Sequence, residues 1–376
     1  MGKRYRFALI KEKLRARRGH VLDFAIGEQR IALPEALRTW IRDNADLAMR
    51  PATHVKEFTE AAANLLRTEY DVDIPTDRIL PTPGGRAAMS AFVACVLEPG
   101  DGVLVTEPDY PAFARLATHR HARVHSLLLD PDRAFAPDIG SITGRDPNSI
   151  RVIALNYPNN PTGAILSAEI MSQIMDVTGA AQVLFNDATY GLLTFDHRPS
   201  SLLHEDMIGD SKVEAVELHS VSKLFPLGPL AVSFLAGSEA TMRSISTYSE
   251  FAWSPLSLLQ LQATTWCLRD SVRLREICEF FADQLERLRR TLIAIGFEPY
   301  PTPAGIYSIC RVPPRIGEKP VSTAEEAAER LFDEFDLAVV PWDTPSHSYL
   351  RFCLVYRPED LDRLAELAER LQLGPV

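Results

Sequence analysis

Apolar residues recur at helical spacing in two early stretches, 34–44, where Leu37, Trp40 and Ile41 make a stripe, and 55–70, where Phe58, Ala62, Leu65 and Leu66 do so. Both predict helices, and Pro34 suits a helix start because its missing N–H has no helical partner to lose. The intervening segment 45–54 has no such period and reads as a crossing into a larger domain. At 79–85 a short extended piece is broken by turn formers, and 86–97 is helical again through Ala87, Met89, Phe92, Val93 and Leu97 until Pro99-Gly100 stops it. Short apolar runs at 103–107, 122–128, 150–155, 182–185 and 213–218 then predict strands, with helical patterns at 111–117 and 166–177 between them. The run Ile150–Leu155 is almost uninterrupted, as expected of a strand buried on both faces of a parallel sheet.

Strands alternating with helices predict an α/β fold with a mostly parallel sheet, whose chemistry sits beyond the carboxyl ends of the strands. Helical patterns at 242–248, 255–269 and 271–295 follow, the last about 37 Å long and able to bridge two domains. After Gly296 short strands near 307–312, 337–340 and 350–355 mix with helices at 323–334 and 358–371, which predicts a smaller α+β domain. The expected division is 1–45 as a segment contributing to the small domain, 46–295 as the large domain and 296–376 as the C-terminal small domain. The Pro/Gly-rich piece 301–305 is a hinge or loop candidate, and no internal repeat is present.

Composition narrows the class. Hydrophobic residues at 46% and charged residues at 24% are ordinary for a soluble globular protein. A formal charge of −10 argues against binding to nucleic acid or an anionic membrane. No segment holds the roughly 18 uninterrupted apolar residues of a membrane span, and the basic stretch 1–20 lacks the apolar run of a secretory signal. That start reads as an arm across a partner subunit or a frayed terminus. Cys95, Cys267, Cys278, Cys310 and Cys353 are scattered without Cys-x-x-Cys spacing, so reduced thiols and a cytoplasmic location are expected. His119, His121 and His125, interleaved with Arg120 and Arg123, read as a solvated edge and not a metal site.

The stretch 213–230 carries the sharpest chemistry. Its strand-like run ends in Ser220, Ser222 and Lys223 before a Pro/Gly loop. A lysine held in apolar surroundings as a neutral amine is a nucleophile for an aldehyde, although a lysine after a strand is also an ordinary solvated charge. Asn156-Tyr-Pro-Asn-Asn-Pro-Thr-Gly163 follows the buried strand and demands a sharply shaped loop, in which Asn160 is placed to donate to a ligand oxygen. Asn186-Asp-Ala-Thr-Tyr190 occupies the same position after its own strand. There Asp187 could hold a ring nitrogen protonated, or simply cap a helix, and Tyr190 could donate to a phenolate-like oxygen. Gly84-Gly85-Arg86 opens a helix with unpaired N–H groups that suit a phosphate, or forms a plain tight turn. Tyr110 offers a flat face to a ring. Arg351, in an apolar setting, needs an anionic partner, either a substrate carboxylate or an internal acid. Phe251, Trp253, Trp342 and the 343–347 loop are further candidates for the entrance.

In order and spacing, Asn159-Asn-Pro-Thr-Gly163, Asp187-x-x-Tyr190 and Ser220-x-Ser-Lys223 resemble the fold-type I pyridoxal-phosphate enzymes, most nearly the class I and II aminotransferases, over most of the chain from Ile26-Gly27 to the last helix. The resemblance implies a Schiff base and later proton transfer at Lys223, Asp187 on the pyridine nitrogen, Asn160 and Tyr190 on the ring oxygen, and Tyr110 stacked on the ring. It further implies phosphate held by Gly84, Gly85, Arg86, Ser220 and Ser222, with the substrate, an α-amino acid and then a 2-oxo acid, held by Gly27, Asn160 and Arg351. Homodimers with sites between subunits are also implied. Two features depart from the family pattern. The loop Leu227-Gly-Pro-Leu-Ala231 lacks the usual phosphate-clamping arginine, for which Arg86 or Arg50 is a candidate replacement, and 46–54 lacks the usual tyrosine and glycine. The same cofactor chemistry also serves elimination, cyclisation, racemisation or oxidation, and a noncatalytic relative would keep the fold alone.

Overall fold

A computed structural model describes residues 6–28, 31–142, 150–178, 183–208 and 213–373. The apolar runs assemble into an eight-stranded sheet: β1 (Ile79–Thr82), β2 (Gly102–Glu107), β3 (Arg123–Asp130), β4 (Ala136–Pro137), β5 (Ile150–Leu155), β6 (Val183–Asp187), β7 (Glu214–Ser220) and β8 (Ser233–Gly237). Their spatial order is β1-β8-β7-β6-β5-β2-β3-β4. From β3 through β2, β5 and β6 to β7 every pair is parallel. β8 is antiparallel to both of its neighbours, and β4 to β3. Two reversals in a row leave β1 pointing the same way as β7, so the carboxyl ends of β1, β2, β5, β6 and β7 share one edge.

Alternation explains why these strands look uninterrupted in sequence. Val105, Val152, Phe185, Val216 and Leu218 pack against helices Gly85–Val96, Ala112–His119 and Glu239–Ala252. Leu104, Ile153, Leu155, Leu184 and Ala215 point to the opposite face, toward Met171 and Ile174 of helix Ala168–Thr178. Both parities are therefore apolar. Phe185 sits with its ring centroid 4.7 Å from Phe92 and 5.0 Å from Phe113. Truncating it to alanine removes about 3–5 kcal/mol of packing from directly beneath Asp187.

The smaller layer is an antiparallel sheet of Tyr307–Arg311, Ser348–Cys353 and Val340–Asp343, in that spatial order, with helices Ala324–Phe335 and Pro358–Glu366. Leu350 and Phe352 share a core with Phe281 and Leu292 of the long helix Ser271–Ala294, and the same core extends to Leu66 and Phe234 on the large sheet's flank. Ile309 and Tyr349, on the other face, pack with Leu155. The fold is therefore α/β with a large mixed sheet, more antiparallel at its edges than expected, and a smaller α+β part.

Several local expectations change. β8 is a strand where no element was expected, because Ser-Phe-Leu-Ala-Gly is short and follows a Pro/Gly loop. The basic start, described from residue 6, is ordered and not frayed there. It forms helix Arg6–Ala16, and Lys13 and Arg17 reach Glu329 and Asp336 at 3.3 and 2.8 Å. The short pair Leu22–Asp23 then joins Leu337–Ala338 in parallel. The 301–305 piece is clamped: Gly305 N donates to Leu193 O at 2.7 Å, and Ala304 bridges to Thr194. Gln182, the expected start of β6, lies outside the described residues. Among the described residues no helix is long and apolar enough to cross a membrane, and no His/Cys/Asp/Glu group has metal-binding geometry. The five thiols are free, with Cys267, Cys310 and Cys353 buried and Cys95 and Cys278 half-buried.

Candidate active site

The shared strand edge opens into a cavity of about 570 Å³. Gly27, Gly84, Gly85, Arg86, Tyr110, Asn160, Asp187, Tyr190, Ser220, Ser222 and Lys223 all line it. Side chains dispersed over nearly two hundred positions thus meet because each follows the end of a strand.

Lys223 is half-buried, and its Nζ donates to Gly27 O at 3.1 Å. Asp187, just past the core of β6, is 6% exposed. Burial pushes its carboxyl pKa up, while bonds from Thr189 and the charges of His219 and Lys223 pull the other way. Thr189 N and Oγ1 donate to Asp187 Oδ1 at 3.1 and 2.6 Å, a local turn-making contact. A buried carboxylate so placed favours a cationic partner.

The loop after β5 divides its labour. Asn159 shapes it: Oδ1 accepts from Thr162 N and Oγ1 at 3.1 and 2.9 Å, and Gly163 N donates to Asn159 O. Gly163 has a φ of 74°, and a Cβ there would meet Ala304 O at 2.5 Å, so glycine is required. Asn160 is left to face the cavity. Its N donates to Asn156 Oδ1, and its Oδ1 accepts from Arg351 Nη1, both at 2.9 Å. With the amide oxygen on arginine, its NH2 is the end available to a ligand.

Arg351 does not line the cavity. It is fully buried one layer behind, with Nη2 donating to Ala25 O at 3.2 Å and the guanidinium carbon 3.8 Å from the Tyr307 ring centroid. Its Nη1 holds the Asn160 amide, so carbonyl, amide and aromatic ring together fix the plane of the guanidinium. Among the entrance candidates, Phe251 is 87% exposed, Trp253 packs against the helix-side core and Trp342 lies 5.7 Å from Arg351. Asp343 accepts from Ala324 N and Ser348 Oγ. None of the four lines the cavity, and neither does Arg50.

At the β1 end, helix Gly85–Val96 begins without a side-chain cap, and Gly84 at φ 99° has open space where a Cβ would stand. Ser220 and Ser222 hydroxyls lie 2.8 Å apart beside it. This uncapped start and hydroxyl pair can hold a phosphate. Arg86 is exposed at the same rim, and the 228–231 turn brings Gly228, Pro229 and Ala231 to the wall without a cation.

Three groups escaped the sequence reading. Tyr307, hidden as the first residue of a strand, lines the cavity with its Oη 3.3 Å from Tyr190 Oη. Asn156 Nδ2 donates to Asp187 O at 2.8 Å. Behind the wall, fully buried Glu217 accepts from Asn186 Nδ2 and Leu202 N at 2.7 and 3.0 Å and from Ser201 Oγ, with His219 Nε2 3.0 Å away. Burial alone would raise the Glu217 pKa, but the charge and bond of His219 and the Ser201 and Asn186 bonds hold it below the usual value. Asn186 in turn bonds both N and O of Tyr157, fixing the start of the Asn160 loop.

A lysine, a buried aspartate and an uncapped helix start on the carboxyl edge of such a sheet mark the architecture of the fold-type I pyridoxal-phosphate enzymes. The sequence model of the class I and II aminotransferases matches residues 19–367, and the chain belongs to that family, whose members use pyridoxal phosphate. LL-diaminopimelate aminotransferase of Methanocaldococcus jannaschii is 27% identical over 370 residues, covering 95% of this chain and 87% of that protein. Transaminase BacF of Bacillus subtilis is 24% identical over 98% of this chain and 94% of its own. The substrate-bound BacF structure aligns with a TM-score of 0.87 at 22% identity, over 99% of this chain and 96% of that one. YbdL of Escherichia coli, described as having a methionine aminotransferase function, aligns at 0.86 and 18% identity, over 99% and 97%.

Proposed function

We propose that the chain is a pyridoxal-phosphate-dependent aminotransferase that takes the amino group of an α-amino acid and delivers it to a 2-oxo acid. One observation carries the reading: Lys223, Asp187, Tyr190 and an Asn160 bonded to buried Arg351 converge on a single cavity that also holds an uncapped helix start. The donor set fits the cofactor at both ends, with amides and hydroxyls for a phosphate and a buried carboxylate for a ring cation. When bound, pyridoxal phosphate supplies an aldehyde carbon and an electron-poor ring that draws electron density from the amino acid's Cα.

The protein's groups direct that chemistry. Asp187 would hold a proton on the ring nitrogen through a charge-assisted bond, which would offset the burial that otherwise disfavours its charge. Asn160 Nδ2 and Tyr190 Oη would donate to the ring oxygen, and Tyr110 would offer its face to the ring. Arg351, held by the Asn160 amide and the Tyr307 ring, would receive the substrate carboxylate in its bidentate fork. Gly27 fixes the resting position of Lys223. Lys223 would hold the cofactor's aldehyde at rest, and its amine would serve as the base and acid for the proton at the substrate's Cα. Arg86 supplies the positive charge on the phosphate that the 228–231 turn lacks. The working unit is a homodimer, a reading in keeping with Met49 and Phe251, which are left 89% and 87% exposed.

The missing cation in the 228–231 turn favours keeping a second reading, in which the same groups serve elimination, cyclisation, racemisation or oxidation of an amino acid. The test is a panel of amino acids, including LL-diaminopimelate, methionine, aspartate and aromatic ones, incubated with holoenzyme under air and under nitrogen. Stoichiometric 2-oxo acid and pyridoxamine phosphate in a half-reaction support transamination. Ammonia, peroxide or an inverted stereocentre without amino transfer would replace it with the second reading. Borohydride treatment followed by peptide mapping is expected to place the reduced cofactor on Lys223.

A further inference from the structure

We propose that Tyr307 is a positioning residue whose hydroxyl begins a donor chain, Tyr307 Oη–H to Tyr190 Oη–H to the cofactor ring oxygen, coupling that oxygen to the arginine that reads the substrate carboxylate. The inference rests on the reading of the cavity as a pyridoxal-phosphate site and adds a residue to it.

Hydrogen counting supplies the first argument. Tyr190 has one hydroxyl hydrogen. In this structure it is directed at Tyr307 Oη, 3.3 Å away. A ring oxygen that claims that hydrogen leaves Tyr190 Oη as an acceptor, and Tyr307 is the hydroxyl in place to donate to it. Both tyrosines are 5% exposed, and their rings meet edge to face at 5.8 Å and 74°.

The second argument is polarisation. The Arg351 guanidinium lies over the Tyr307 face at 3.8 Å, close enough to withdraw electron density from the ring and make its O–H a stronger donor. The charges acting on Tyr190 are Arg351 on this side and Asp187 on the other, with Lys223 held nearby by Gly27 O. The third is space. A Cβ on Gly27 would stand 2.5 Å from Tyr307 Oη, so the glycine whose carbonyl holds the lysine also makes room for this hydroxyl.

A donor to an anionic oxygen stabilises the deprotonated form of the chromophore, so losing one raises the pH at which the holoenzyme's visible absorbance titrates. Cooperative strengthening along a hydrogen-bond chain is roughly 10–30% per bond. Tyr307→Phe, which keeps the ring, is therefore expected to shift that titration upward by roughly a tenth to a third of the shift that Tyr190→Phe produces. In the Tyr190→Phe background the second substitution is expected to add nothing. Gly27→Ala, which crowds the same hydroxyl, is expected to shift in the same direction should Tyr307→Phe fail to fold. A Tyr307→Phe titration matching wild type, or an equal shift in both backgrounds, overturns the chain. A wild-type protein with no titrating visible band on addition of pyridoxal phosphate overturns the reading of the cavity, and this inference with it.

Discussion

Asp187→Asn separates what a buried carboxylate does for catalysis from what it costs the fold. Asparagine keeps the shape, and its oxygen can still accept from Thr189 N and Oγ1 at the 3.1 and 2.6 Å seen for Asp187. What disappears is a charge that burial opposes and that Thr189, His219 and Lys223 offset only in part. Because folding raises this pKa, the native apoprotein keeps a proton that the unfolded chain has released, and stability falls as pH rises from the ordinary carboxylate range through the raised value. Above that window aspartate carries its full cost and asparagine none. The apoprotein of the variant is therefore expected to melt at or above the wild-type temperature at pH 7, with the advantage fading on acidification. Turnover should move the other way. A neutral amide in place of a charge-assisted bond to the ring nitrogen forfeits about 1–2 kcal/mol, a loss of at least roughly 5–30-fold in kcat. Thermal melting of the apoprotein across pH and single-turnover rates of the holoenzyme check the two halves. A variant that melts several degrees lower at pH 7 yet turns over at the wild-type rate would refute the reasoning.

Arg86→Ala is expected to weaken pyridoxal-phosphate binding. A charge-assisted phosphate contact contributes about 1.5–3 kcal/mol, and for an exposed arginine the low end applies, roughly tenfold in Kd and shrinking at high salt; titration of the apoprotein at two ionic strengths measures it. Arg351→Lys keeps the charge but loses the fork, so KM for amino acids should rise on the order of tenfold or more while cofactor affinity holds; unchanged steady-state kinetics would remove Arg351 from substrate binding. Glu217→Ala strands His219 and Asn186 in the core and is expected to cost about 3–5 kcal/mol in urea unfolding. Since folding lowers the Glu217 pKa, its contribution is present above the ordinary carboxylate value and is lost as pH falls through the depressed one; Glu217→Gln should flatten that part of the acid limb of a stability profile.

The site was legible where chemistry follows directly on a strand. The strings ending in Asn160, Asp187 and Lys223 announce themselves because each interrupts an apolar run with groups a sheet cannot use. Asn160 could be singled out as a donor to a ligand oxygen, while the loop-shaping role of Asn159 emerged only from its bonds to Thr162. What stayed hidden depends on partners far along the chain. Tyr307 is simply an aromatic at the head of a strand until Tyr190, Gly27 and Arg351 surround it. Glu217 and His219 alternate with apolar neighbours, as any solvated strand face would, and only the fold shows that this face is closed. Arg351 was expected in an apolar setting, but the backbone carbonyl of Ala25, the Asn160 amide oxygen and the Tyr307 ring that orient it come from distant parts of the chain. β8 lacked a helix or a long apolar run to mark it, and without it the common direction of β1 and β7 could not be inferred.

Among the described residues β1 pairs within the sheet with β8 alone, and the cradle at Gly84 hangs from its end. During synthesis that edge strand must wait, unpaired, while the sheet's whole parallel centre emerges, and the closing contact spans one of the sheet's longest loops. A nascent chain halted before Ser233 would already carry Asp187, Lys223 and the Ser220–Ser222 hydroxyl pair, yet lack the strand that holds the Gly84 helix start beside them. Any small molecule that recognises only the finished cradle would then favour the last annealing step by mass action and act as a maturation aid as well as a reagent.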